Sequence, residues 1–142
     1  MKILVVEDSK FLRRASELAL GRAGYTVITA GDGDAALKMA QDQIPSLILL
    51  DMMLPKLSGL EVLRALKLDA ATKNIPVIIL TGLSERNSEK LLQEGATSYL
   101  EKSDKLMEKD GAVLIQAVAQ VLGKTTGGCR TGEWGKTADK PV

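Results

Sequence analysis

Five short apolar runs, each followed by a stretch of helical period, constrain this chain more than any other feature. Lys2-Ile-Leu-Val-Val-Glu7, Tyr25-Thr-Val-Ile-Thr-Ala30, Ser46-Leu-Ile-Leu-Leu-Asp51, Pro76-Val-Ile-Ile-Leu-Thr81 and Thr97-Ser-Tyr-Leu-Glu101 are all five or six residues long. The first, third and fourth are continuously apolar and predict strands covered on both faces, as in a parallel sheet, while the second alternates in part and the fifth is the weakest of the five. Between the runs, Phe11, Leu12, Ala15, Leu18, Ala19 and Arg22 recur at three-to-four spacing and predict a first helix that stops at Gly24. Further helices are predicted over Asp34–Asp42, Ser58–Asp69 and Ser84–Glu94, the last with Ser84 as N-cap and Gly95 as stop. A fifth runs over Val113–Leu122, with a start as early as Asp104. Strand and helix alternating with short connections specify an α/β fold, a doubly wound parallel sheet with five strands and five helices on its two faces.

Composition removes whole classes of chemistry. The chain has no histidine and a single cysteine, Cys129. A Ser-His-Asp triad, Cys-His proteolysis, a Cys/His zinc site and an intrachain disulfide are therefore excluded. The net charge of +1 and the 3% aromatic content give no argument for a nucleic-acid surface. The apolar runs are too short to cross a bilayer and the amino terminus does not read as a signal peptide, so a cytoplasmic protein without membrane insertion is expected. From Lys124 the pattern changes: residues 124–142 carry four glycines, no periodicity and a lone Trp134. Four basic and two acidic residues give this tail a charge of +2, which leaves the body, residues 1–123, at −1. One domain over 1–123 with a flexible Gly-rich basic tail over 124–142 is expected.

In a parallel α/β sheet, ligands bind in the crevice at the carboxyl ends of the strands. The first run ends in Glu7-Asp8, the third in Asp51 and the fourth in Thr81, and Lys102 follows the fifth. Taken singly, each has a plainer reading: Asp8 as a helix N-cap, Asp51 as a turn residue before Pro55 and Gly59, Thr81 as a cap, Lys102 as a solvated lysine. Taken together they bring three carboxylates, a hydroxyl and an ammonium to one rim. Three carboxylates repel unless a cation lies between them, and an oxygen-only set favours a hard ion such as Mg²⁺. A lysine and a hydroxyl opposite it suit a phosphoryl group, toward which a carboxylate can be the nucleophile. Asp51, at the end of the central run, is the candidate.

Ile3-Leu-Val-Val-Glu-Asp8, Leu49-Leu-Asp-Met-Met-Leu-Pro55 with Ser58-Gly59, Val77-Ile-Ile-Leu-Thr-Gly82 and Gly95-Ala-Thr-Ser-Tyr-Leu-Glu-Lys102 together resemble the receiver domain of bacterial two-component response regulators, of the stand-alone, chemotaxis-regulator kind, over about residues 1–123. The resemblance implies a flavodoxin-like sheet of order 2-1-3-4-5. It implies Mg²⁺ held by Asp8, Asp51 and the backbone carbonyl of Met53, with Glu7 acting through water. Asp51 would accept a phosphoryl group from a sensor histidine kinase or a histidine phosphotransfer protein. Lys102 and Thr81 would hold its oxygens, and Tyr99 would follow Thr81 as a switch. Met53, Gly82 and Leu83 would flank the phosphoryl group; apolar side chains at 53 and 83 would shield it from water and lengthen its life. Many receivers have proline after the lysine, where this chain has Ser103.

Lys10, Phe11, Arg13 and Arg14 on the first helix are expected to dock the phosphodonor protein. The downstream target is a protein the sequence does not name, and no direct DNA binding is expected. Beyond self-phosphorylation from a phosphodonor and slow self-dephosphorylation, no enzyme activity is expected, because a phosphohydrolase would want an acid where Met53 stands. The alternatives are a phosphorylation-independent adaptor with the same fold, or the receiver part of a longer regulator. Asp32-Gly-Asp34 lacks the glutamate and length of a calcium loop. Gly132–Thr137 lacks the first glycine of a P-loop. Glu7-Asp8 would repel the phosphate of a flavin.

Overall fold

The computed structural model describes residues 1–52, 54, 57–81, 92–101 and 108–125. Five strands, β1 (Lys2–Val6), β2 (Thr26–Ala30), β3 (Leu47–Asp51), β4 (Val77–Thr81) and β5 (Ser98–Glu101), form one sheet in the order β2-β1-β3-β4-β5. Every pair is parallel, with Val6 opposite both Ala30 and Leu50, Asp51 opposite Leu80 and Thr81 opposite Glu101. This is the sheet order expected from the sequence. Four helices lie among the described residues: α1 (Lys10–Arg22), α2 (Gly33–Gln43), α3 (Gly59–Leu68) and α4 (Glu108–Thr125). Most of the helix expected over Ser84–Glu94 falls outside the described residues; Leu92 and Gln93 are helical.

β1, β3 and β4 bury both faces, whereas β2 at the sheet edge is mostly only partly buried, and alternation along the strands sorts the core into two layers. Ile3, Val5, Leu47, Leu49, Ile78 and Leu80 pack with Leu20 of α1 and with Leu114, Val118, Val121 and Leu122 of α4. Leu4, Val6, Ile48, Leu50, Val77 and Ile79 pack with Ala36 and Ala40 of α2 and with Val62, Leu63 and Leu66 of α3.

Helix starts follow local chemistry. Ser9, Asp32 and Ser58 each accept a backbone N–H three residues on, and Ser58 and Glu61 form a reciprocal capping box. On α1 the inward residues are Ser16, Ala19 and Leu20, whereas Phe11 and Leu18 of the expected apolar stripe face solvent. Small side chains at 16 and 19 are what the sheet side of this helix presents, so the apolar count along its sequence is not a map of its buried face. Likewise Val113 is exposed while Leu114 and Val118 are buried. α4 continues to Thr125, two residues past the change of composition. Among the described residues, no helix is long and apolar enough to cross a membrane.

Candidate functional site

Parallel pairing sets the ends of β1 and β3 side by side, and the residues that leave the sheet there are acidic. Val6 lies opposite Leu50, so Glu7 comes level with Asp51. Carboxylate oxygens of Glu7, Asp8 and Asp51 all lie within 4.8 Å of one another. Glu7 and Asp51 are each only 1% exposed, whereas Asp8 is exposed. Two buried carboxylates and a third at the surface form a cup that opens outward. Such crowding of like charge is unfavourable without a cation, and an all-oxygen, histidine-free donor set fits a hard divalent ion.

The backbone around the cup is tied at several points. The N–H of Glu7 donates to the Ala30 carbonyl at 3.1 Å. Its Oε2 accepts the N–H of Ser9 at 3.1 Å, and Ser9 Oγ accepts the N–H of Leu12 at 3.3 Å. The N-cap of α1 is therefore Ser9, which removes the capping explanation of Asp8. Asp51 is the last residue of β3 and not a turn residue, and the next N–H, of Met52, donates to Leu80 at 3.1 Å.

Two glycines admit the following helix. Gly59 N–H donates to the Met52 carbonyl at 3.0 Å, and a Cβ on Gly59 would meet the Asp51 carbonyl oxygen at 2.5 Å. A Cβ on Gly33 would meet Leu57 Cβ at 2.6 Å, so the start of α2 presses on the loop that leads into α3. The sequence singled out Gly59 only as part of a motif; its closeness to Asp51 is a tertiary fact without a local signal.

Thr81 ends β4 next to Leu80, the residue opposite Asp51, and is buried at 3% exposure. Tyr99 lies on β5 opposite Ile79 and is 38% exposed. Lys102, Met53, Gly82, Leu83 and Ser103, all singled out in the sequence, lie outside the described residues. On α1, Phe11 is 77% exposed, and Arg14 pairs with Glu17 at 3.0 Å on the solvent side. Arg13 turns inward and donates from Nη1 to the Glu7 carbonyl at 2.9 Å. Elsewhere on α3, Arg64 makes a two-pronged contact with Glu94, at 3.0 and 3.1 Å, and this hydrogen-bonded carboxylate holds the guanidinium above its ordinary pKa.

Comparison with known proteins agrees with this geometry. Residues 3–118 match the model of the response regulator receiver domain, and the chain belongs to that family. It is 36% identical over 116 residues to protein PilG of Pseudomonas aeruginosa, covering 80% of this chain and 84% of that one. It is 43% identical over 102 residues to the alkaline phosphatase synthesis transcriptional regulatory protein PhoP of Bacillus subtilis, covering 71% of this chain. The chain spans 42% of the length of PhoP and 22% of that of the response regulator PleD of Caulobacter vibrioides. Among solved structures, the chemotaxis response regulator CheY4 of Vibrio cholerae superposes with a TM-score of 0.76 at 30% identity, covering 84% of this chain and 97% of that one. The Francisella response regulator 1452 receiver domain gives 0.76 at 31% identity, covering 88% and 98%. A receiver domain is a non-enzymatic signalling module of two-component phosphorelays, and its partners are histidine kinases. In this one, Glu7, Asp8 and Asp51 form an acidic pocket consistent with a phosphoacceptor site.

Proposed function

We propose that Asp51 is the phosphoacceptor, taking a phosphoryl group from the phosphohistidine of a sensor histidine kinase or a phosphotransfer protein. The observation that carries this reading is the burial of Asp51 at 1% exposure within a cup shared with Glu7 and Asp8. A carboxylate oxygen of Asp51 forms the bond to phosphorus as the P–N bond breaks and the imidazole leaves with the electron pair. Asp8, Asp51 and the Met53 carbonyl would hold Mg²⁺, with Glu7 acting through water. When bound, Mg²⁺ neutralises charge on the phosphoryl oxygens and orients them. In this reading the Thr81 hydroxyl donates to one of those oxygens and the Lys102 ammonium pairs with another.

Phosphorylation adds nearly two negative charges at the end of β3. Reversing a 99:1 population takes about 5.5 kcal/mol of differential stabilisation, a size that a charge-assisted lysine contact, a hydroxyl hydrogen bond and a metal can together supply. Thr81 moves toward the phosphate and the ring of Tyr99, partly in solvent, follows it inward. The output is a change of protein-binding surface, without direct DNA contact, in the cytoplasm. Residues 1–123 carry the working domain. Lys10, Phe11 and Arg14 receive the phosphodonor protein. Apolar Met53 and Leu83 shield the acyl phosphate, so that it decays slowly.

Borohydride reduction of the phosphorylated protein converts an aspartyl phosphate to homoserine, which peptide mapping locates. Homoserine at position 51 supports the assignment, and homoserine at any other position overturns it.

A further inference from the structure

Arg13 sits on α1 among residues expected to meet a partner, yet its side chain serves the other side of the helix. Nη1 donates to the backbone oxygen of Glu7 at 2.9 Å in a partly buried contact. That oxygen belongs to the peptide joining Glu7 to Asp8. The other atoms of Glu7 are already tied, its N–H to Ala30 and its carboxylate to the Ser9 N–H. Asp8 differs from Glu7 and Asp51: it lies beyond the end of β1 and is exposed, so burial does not orient its carboxylate. The plane of the peptide before it sets where the Asp8 backbone, and so the root of its side chain, is placed, and Arg13 holds the oxygen of that plane.

Gly31 leaves room for this. A Cβ there would lie 2.8 Å from Arg13 Nη1. Gly31 is not among the glycines with positive φ, so the position uses its missing side chain and not its backbone freedom.

We propose that Arg13 is a positioning residue of the acidic site: by holding the Glu7 carbonyl it aims the Asp8 carboxylate and so sets the affinity for the divalent cation. The inference rests on reading Glu7, Asp8 and Asp51 as a cation site. The sign of the effect separates it from simple electrostatics. A guanidinium beside a cation site repels the cation, so on charge alone its removal tightens binding. A positioning role predicts weaker binding despite the lost repulsion.

The test is Mn²⁺ titration of the full chain, with free ion followed by electron paramagnetic resonance, for the parent, Arg13→Met, Gly31→Ala, the double variant and Asp8→Asn. Each single change at 13 or 31 should weaken Mn²⁺ binding about fivefold, the scale of one lost hydrogen bond. The double variant should be no weaker than Arg13→Met, because both changes break the same contact. Gly31→Ala leaves α1 and the arginine charge intact, so it decides the matter even if Arg13→Met unfolds by circular dichroism. Tighter or unchanged binding in Arg13→Met, unchanged binding in Gly31→Ala, or additive losses would overturn the proposal. If the parent does not bind Mn²⁺, or Asp8→Asn binds as well as the parent, the cation-site reading itself fails and the inference with it.

Discussion

Placing a methyl group on Gly59 tests how tightly the fold seats Asp51. The Cβ of Gly59→Ala would stand 2.5 Å from the Asp51 carbonyl oxygen and 2.6 Å from Met52 Cα. Both are backbone atoms, which cannot rotate away. Ordinary contact begins at 3.4 Å, so α3 or the end of β3 must retreat by 3.4 − 2.5 = 0.9 Å. A shift of that size also breaks the 3.0 Å hydrogen bond from Gly59 N–H to Met52. Overpacking of this kind costs about 1–3 kcal/mol and the lost hydrogen bond about 1 kcal/mol. Against this, Gly→Ala in a helix gains about 0.5–1 kcal/mol through the unfolded chain. The net expectation is a loss of about 1–3 kcal/mol, with slower phosphorylation because the acceptor strand end has moved. Gly21 is the control: it lies within α1, and its Cβ would meet nothing within 4 Å. Gly21→Ala should therefore stabilise by about 0.5–1 kcal/mol. Urea unfolding of both variants, with acetyl phosphate labelling in parallel, reads the contrast. A Gly59→Ala variant as stable as the parent and labelled at the same rate would refute the close approach of α3 to Asp51.

Other expectations follow from single contacts. Thr72, 1% exposed, donates its hydroxyl to the Leu66 carbonyl at 2.7 Å. Thr72→Val should cost about 1–2 kcal/mol in urea unfolding by leaving that carbonyl without this donor. Lys67 donates to the carbonyls of Lys73 and Ile75 at 3.1 and 3.0 Å, and burial lowers its pKa. Its folded pKa lies below its unfolded value, so between them the unfolded chain binds more protons and stability rises with pH. The stability of the parent relative to Lys67→Met should thus grow as pH rises toward the ordinary lysine pKa of 10.5, since a neutral amine still donates two hydrogen bonds; a flat difference would contradict the shift. Phe11→Asp should slow phosphotransfer from a histidine-phosphorylated partner and leave acetyl phosphate labelling unchanged; equal slowing of both would place the defect in the acceptor site.

The sheet was legible because its inner strands β1, β3 and β4 are apolar almost throughout, and only the margins moved. The run from Pro76 begins pairing at Val77, since proline has no N–H to give the ladder. The acidic rim was legible because parallel pairing forces strand ends together, so Glu7-Asp8 and Asp51 had to meet once the order was known. Arg13 was not: as one of four polar or aromatic residues at the start of α1, nothing in its spacing separates an arginine that faces a partner from one that folds back on Glu7. The solvent-facing placement of Leu18 was equally hidden, because period locates a stripe but not which side of it meets the sheet, whereas Phe11 is exposed as its expected docking place requires. Gly31, Gly33 and Gly59 act by the absence of a methyl group against a distant backbone or side chain, which no local pattern reports.

The central claim is that Asp51 accepts phosphate within the cup formed with Glu7 and Asp8. Intact mass spectrometry after incubation with acetyl phosphate and Mg²⁺ tests it most directly, comparing the parent with Asp51→Asn and repeating the parent with excess chelator. The account predicts one phosphoryl increment on the parent with Mg²⁺, and none on Asp51→Asn or with the chelator. An Asp51→Asn variant labelled to the same extent as the parent would contradict it.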